Sequence, residues 1–390
     1  MENRLRPRPE AFRASRDHAH VSAVGERSAR VSTLELFFDL VFVFAITQLT
    51  GVLVAGADAE SAAQVAILLA LVWWMYDGYA WLTNAISTDR VRFRLLLLGG
   101  MGCFLVIALA IPHAYDGDGL AFGLAYLAVV ALHTAMYMRG ASVAEAQAML
   151  RLGSYNIVTA GLVLVGGAVG GSSQWVVWTV ACLVWLTPWL SGIEDLVISV
   201  PHFVERHGLV VIIALGESVV VIGVGATGSA LDRGLVGAAL LALGLSASLW
   251  WTYFGGEAEV ERALEETTPA RRPSLALVGF GYWHYGLLLG VAALAAGLKE
   301  TVAHPYDPLD GWVAGELAVG VALFLACDLG FRRTLALERR HMRLAAVVAA
   351  VVTLPLGIGL AAAVQLAALV AVVVLALALE ASSPRRPSLT

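Results

Sequence analysis

The chain has 390 residues, 59% of them hydrophobic and 14% charged, with a formal net charge of −5. Its mean hydropathy of +0.78 lies far outside the range of a soluble domain of this size. The composition therefore excludes a soluble enzyme or binding domain and calls for an all-α polytopic membrane protein.

Residues 1–30 are Arg-rich and polar, with no apolar stretch before Leu34 and no secretory signal pattern, so this tail is expected to stay on the side where it is made. Its basic residues read as topogenic and lipid-facing, not as a nucleic-acid site. From there, apolar runs of about 17–25 residues recur between short turns, the spacing of transmembrane helices. Twelve spans are predicted: 34–55, 62–84, 93–112, 119–138, 150–168, 174–192, 205–225, 233–254, 275–297, 312–331, 343–359 and 361–380. The last two divide a nearly uninterrupted run at Pro355, Gly357 and Gly359. The loop 255–273 is charged and reads as a short surface helix or connector.

With both termini cytoplasmic, all but two of the 25 Lys and Arg residues, Arg233 and Lys299, fall on the cytoplasmic side. The outer loops instead carry Asp58, Glu60, Asp116, Asp118, Asp307 and Asp310. Cys103, Cys182 and Cys327 each sit singly in an apolar run and read as packing residues.

The first span, "VSTLELFFDLVFVFAITQLT", carries Glu35 and Asp39 four residues apart, on one helix face, and Gln48 deeper in. At the bilayer centre a charge costs about 2.5–3.5 kcal/mol on insertion scales, so such residues call for a partner, water or a function. Glu35 can cap the inner end of the helix; Asp39, a turn deeper, is a stronger candidate for a path. Asp77 lies on the second span. The seventh, "HFVERHGLVVIIALGESVVVIG", brings Glu205, Arg206 and His207 to the cytoplasmic end and Glu217 about three turns further in, near the midplane. Arg206 is a natural counter-ion for Asp39 or Glu35. With His133 and Asp328, these groups predict an inward-facing polar vestibule. His133 and His284 read as core histidines. Trp73, Trp74, Trp250 and Trp251 mark the interface or helix packing. No HExxH, CxxC, Walker loop, dinucleotide fingerprint or GxSxG is present, so no metal, cofactor or serine nucleophile is expected.

An internal repeat is legible. "LVFVFAITQ" from Leu40 lies on "LVVIIALGE" from Leu209, setting Gln48 against Glu217; "LVWWMY" from Leu71 matches "SLWWTY" from Ser248, and "LLLGGMG" from Leu96 matches "LALVGFG" from Leu275. Six spans per half make these parallel repeats, with boundaries at 1–30 for the tail, 31–198 and 199–380 for the halves, and 381–390 for a cytoplasmic C-terminal tail.

"ELFFDLVFVFAITQL" and "HFVERHGLVVIIALGES" closely resemble the two hallmark segments of the bacterial low temperature requirement A (LtrA) family. The resemblance implies a multi-pass inner-membrane protein, named for a cold-growth phenotype and without an assigned reaction. "FFDLVFVFAIT" is also similar, more distantly, to the first helix of the Phe-Ser-Asp-motif potassium channels of lysosomes and bacteria. That likeness implies a pore lined by the first helix of each repeat, with Phe37 and Asp39 on the motif's Phe and Asp, Phe44 on its apolar constriction, and Ile213 added by the repeat. Phe38 replaces the motif Ser, Thr33 stands where that family has Arg, and Arg206, His207 and Gly208 replace a second motif.

These features favour a transporter or channel-like protein moving a cation, proton or small solute, with Glu35, Asp39, Gln48, Asp77, Glu205, Arg206, His207 and Glu217 along its path and the lipid bilayer as its surroundings. The alternatives are an intramembrane enzyme acting on a lipid or apolar substrate, with Glu217 or Asp39 as acid or base, and a non-transporting scaffold or stress-related sensor.

Overall fold

The structure is a computed structural model that describes residues 31–86, 90–140, 143–188, 196–228, 230–337 and 341–382, with only the backbone for 143–152 and 341. The tail 1–30, most of the tail 381–390 and the end of the predicted sixth span lie outside these residues. The described residues are largely helical, with no strand among them.

In chain order the long helices are α1 (Thr33–Gly56), α2 (Ala59–Ala85), α3 (Val91–Ala110), α4 (Gly119–Gly140), α5 (Val143–Val169), α6 (Gly171–Val184), α7 (Val200–Gly225) and α8 (Arg233–Phe254). A short charged helix, α9 (Glu257–Glu266), occupies the predicted connector and leads into α10 (Arg272–Ala303). The chain ends with α11 (Gly311–Thr334), α12 (His341–Val352), α13 (Leu354–Gly359) and α14 (Ala362–Ser382). Ten helical segments among the described residues are long and apolar enough to cross a membrane, and two shorter apolar helices, Gly153–Val169 and Gly171–Val184, overlap the predicted fifth and sixth spans. This is a multi-pass helical membrane protein.

Local chemistry sets the helix ends. Ser32 and Glu35 form a reciprocal capping box at the start of α1, and Asp58 with Ser61 does the same for α2. The backbone and side-chain hydrogen bonds from Ser61 hold the Asp58 carboxyl below its ordinary range. Between them the chain reverses in two residues, with Ala57 in the left-handed region at φ 47°. Pro355 sits in α13, and the break after Gly359 separates α13 from α14, where the sequence marks a turn.

Small residues bring the helices together. A Cβ on Gly290 of α10 would lie 2.8 Å from the carbonyl oxygen of Gly320 on α11, and one on Gly123 of α4 would lie 2.7 Å from Cα of Leu164 on α5. The centre of the bundle is α2 and α10, whose most apolar windows are 78% and 72% buried against 28% for Met342–Gly359. Leu40, Leu95, Leu109, Val176 and Leu240 face outward on the periphery, as lipid-facing residues do. Polar side chains on α1, α2, α7 and α10 are thus forced into contact with one another.

Candidate functional site

Helices α1 and α7 lie side by side and run in the same direction. Glu35 meets His202 and, one turn on, Asp39 meets Arg206; further along, Thr47 meets Glu217. Two carboxylates spaced i, i+4 on α1 therefore face a histidine and an arginine spaced i, i+4 on α7, each pair on one helix face.

At the end of α1, Glu35 Oε2 accepts from the Ser32 backbone N–H at 2.7 Å, while Oε1 lies 3.0 Å from His202 Nε2. The amide of Asn84 on α2 brackets the backbone of Ser199 at 2.9 Å in both directions and places its Nδ2 3.3 Å from His202 Nδ1. That ring nitrogen accepts, so Nε2 carries the proton and donates to a charged Glu35. Glu205 is half-buried and accepts from the Val31 backbone N–H at 3.2 Å.

One turn deeper, Asp39 is fully buried. Arg206 Nη2 reaches Oδ1 at 2.8 Å, and the Tyr76 hydroxyl of α2 donates to the same oxygen at 2.5 Å. The guanidinium also lies over the Phe38 and Tyr76 rings, 5.9 and 5.6 Å from their centroids, and its Nε has no hydrogen-bond partner among the described residues. Arg206 thus pairs with Asp39, one of the two counter-ions the sequence leaves open.

His207, the next residue, turns toward α2. Its Nδ1 lies 2.8 Å from the Phe203 carbonyl and its Nε2 2.9 Å from Asp77 Oδ1, while Trp81 Nε1 donates to Asp77 Oδ2 at 3.3 Å. Beside them α10 widens into a π-helical stretch, Leu277–Trp283. Such bulges redirect carbonyls out of the helical ladder. Gly281 O accepts from Trp73 Nε1 at 2.7 Å, and Gly279 O pairs with His284 Nδ1 at 3.0 Å. The Tyr253 hydroxyl then donates to His284 Nε2 at 2.7 Å, which leaves that histidine neutral and fully satisfied.

Glu217 is 2% exposed, and Thr47 Oγ1 is its hydrogen-bond partner at 2.6 Å. Gln48, aligned with it by the repeat, is half-buried and makes no bond to it. Phe44 and Ile213 are half-buried on α1 and α7. Two nearby hydroxyls in the sequence, Thr50 and Ser218, are buried without hydrogen-bond partners among the described residues.

Of the other groups expected at the vestibule, His133 lies beside Asp77 and Asp328 pairs elsewhere. His133 bonds the Gly78 carbonyl at 2.9 Å from α4. Asp328 joins a second buried ion cluster with Arg332 and Arg343, and Arg343 continues to Glu380 at 2.9 Å. Sequence reading missed His202, Tyr76, Asn84 and Thr47. The i, i+4 spacing of His202 and Arg206, matching that of Glu35 and Asp39, is a signal that finds the first of them. No group of three or more potential metal ligands occurs among the described residues.

The family model of the bacterial low temperature requirement A protein (LtrA) matches residues 30–378. An uncharacterized protein of Rhizobium meliloti (strain 1021) is 30% identical over 318 residues, covering 78% of this chain and 77% of that protein. No solved structure matches.

Proposed function

We propose that this chain, which belongs to the bacterial low temperature requirement A (LtrA) family, is a transporter or channel-like protein of the inner membrane. It moves a small cation, a proton or a small solute along a path lined by α1 and α7. Glu217 carries this reading. It lies deep in a membrane-spanning helix, its hydrogen-bond partner is a neutral hydroxyl, and among the described residues no Lys, Arg or His forms an ion pair with it. A lone carboxylate costs several kcal/mol in such surroundings, so the site gains by taking up a proton or a cation.

Three acid–base pairs stand at the other end of α7: Glu35 with His202, Asp39 with Arg206, and Asp77 of α2 with His207. In this reading they close the cytoplasmic side of the path, with Glu205 beside them. Phe44 and Ile213 form its apolar constriction, and Gln48 lies next to the Glu217 site.

The finer architecture belongs to the same proposal. Twelve spans form two parallel six-helix repeats, 31–198 and 199–380, between the cytoplasmic tails 1–30 and 381–390. The common direction of α1 and α7 supports this. So do Tyr76 and Tyr253, matched by the repeat, each of which turns its hydroxyl onto a buried titratable group.

Ion flux in proteoliposomes, screened for K+, Na+ and H+, tests the reading. Flux in the wild type, abolished in a folded Glu217→Gln variant, is expected. Unaltered flux in that variant removes the site, and absence of flux for every ion from folded protein removes the cation reading. A non-transporting scaffold or stress-related sensor is the second reading, favoured by the complete pairing of Glu35, Asp39 and Asp77.

A further inference from the structure

We infer that Asp77 and His207 form a proton-binding site whose single shared proton holds α2 to α7, and that releasing this proton unlocks the cytoplasmic end of α7. This deepens the transport reading and rests on it for its role in gating.

The proton count follows from the hydrogen bonds. His207 Nδ1 faces a carbonyl, which can only accept, so Nδ1 carries a hydrogen. Nε2 faces a carboxyl oxygen at 2.9 Å, a contact that needs one hydrogen between them. That hydrogen resides on Nε2, giving imidazolium and carboxylate, or on Oδ1, giving imidazole and carboxylic acid. Either way the pair is neutral, and its position can shift without a change in net charge.

Removing the proton sets the Nε2 lone pair against a carboxylate, and the bond becomes a repulsion between buried groups. Adding a second proton is opposed on the other side, because Asp77 Oδ2 already accepts from Trp81 Nε1. The one-proton state is thus the locked state.

The surroundings single out this pair. On α1, Glu35 is held by His202 and the cap, and Asp39 by Arg206 and Tyr76. On α7 the neighbours are His202, Glu205 and Arg206. From α10, the His284 ring stands 5.7 Å away, neutral between Gly279 and Tyr253 of α8. From α9, Glu257 approaches the backbone of Gly208, and from α4, His133 bonds the Gly78 carbonyl. Arg206 keeps its proton at all relevant pH. With Nδ1 of His207 already carrying a hydrogen toward the Phe203 carbonyl, the Asp77 and His207 link needs a further proton between its two acceptors, whereas Nδ1 of His202 accepts from Asn84.

Asp77→Asn separates this role from a merely structural one. The amide Nδ2 donates to a neutral His207 Nε2, preserving charge, shape and hydrogen bond while removing the exchangeable proton. The experiment is 15N NMR of the full chain, histidine-labelled, in nanodiscs, titrated between about pH 5 and 9. His207 is assigned through its contacts with the Phe203 and Phe280 rings, whose centroids lie 4.3 and 4.9 Å from its own.

In the wild type the His207 Nε2 resonance is expected to move with pH while Nδ1 stays protonated. The contact between the Trp81 and Phe203 rings, at 4.9 Å, should be lost together with the proton. In Asp77→Asn both should be invariant. A wild-type Nε2 resonance that does not move, or one that moves identically in the variant, overturns the proposal. Because this readout needs no flux, absence of transport would remove the transport reading and still leave the proton site decided.

Discussion

Asp39 and Arg206 meet at 2.8 Å between α1 and α7, and neither side chain is more than 1% exposed. Two opposite charges so placed give up most of their hydration, and their mutual attraction, with the Tyr76 hydroxyl, offsets that cost. Breaking one half leaves the other uncompensated. Asp39→Asn and Arg206→Met should each destabilise the protein by about 3–5 kcal/mol. The double variant should recover a large part of that loss, because no buried charge remains. Denaturant unfolding in detergent micelles would measure the cycle; additive losses would show that the two residues do not act as a pair.

Glu217 and Thr47 require a different outcome, because function and not stability is at stake. The Thr47 hydroxyl has one hydrogen, and both Glu217 Oε2 and the Val43 carbonyl lie within reach, at 2.6 and 3.3 Å. When that hydrogen turns to Val43, Glu217 must itself donate, so the hydroxyl accommodates both states of the carboxyl. Thr47→Ser keeps this capacity and should retain flux. Thr47→Val removes it and should weaken binding of the transported ion by about 1–3 kcal/mol, roughly 5- to 150-fold. Concentration-dependent flux separates the two variants; equal apparent affinities would exclude Thr47 from the site.

Much of this arrangement is legible in the chain itself. Span positions follow from apolar run length, and Glu35, Asp39, Arg206 and Glu217 stand out because charge within a span is costly. What local sequence cannot display is rotation about each helix axis. Gln48 and Thr47 are neighbours in the chain, about 100° apart on the helix, and packing alone decides which of them faces Glu217. Repeat alignment selects Gln48; the interface selects Thr47. The same limit bears on which groups meet at the expected vestibule. Asp77 pairs with His207 and His133 bonds the adjacent Gly78 carbonyl, whereas Asp328 turns to Arg332, a choice of neighbour that span position does not display. Tyr76 and Asn84 were invisible because uncharged polar groups in aromatic or polar surroundings carry no strong cost signal.

The crossing of α10 and α11 depends on absent side chains. A Cβ on Gly290 would come within 2.8 Å of Gly320 O and 2.9 Å of the Phe324 backbone nitrogen, both main-chain atoms that cannot swing aside. Gly290→Ala should therefore force the helices apart and destabilise by about 1–3 kcal/mol. Gly102 of α3 has nothing within 4 Å of the corresponding position, and Gly102→Ala should be neutral or slightly stabilising. Thermal unfolding of the two variants side by side checks the contrast. Equal shifts would mean that backbone propensity, and not close approach, governs both sites.

The second ion cluster ties the end of the chain to the bundle. Arg332 of α11 donates to Asp328 and to the Thr252 and Tyr253 carbonyls at the end of α8, at 2.7 and 2.9 Å. Arg343 of α12 bridges Asp328 to Glu380 near the end of α14. Losing Arg343 leaves Asp328 its Arg332 partner and removes the bridge from Asp328 to Glu380. The effect should then be local: Arg343→Met should raise amide hydrogen exchange in the last turns of α14 while leaving α8 and the α1–α7 contact protected. Arg332→Met should act more widely, because two carbonyls at the α8 terminus lose their donor together with Asp328. Exchange measured by mass spectrometry on both variants distinguishes these patterns. Uniform loss of protection in Arg343→Met would mean that the cluster supports the whole bundle and not only its C-terminal helix.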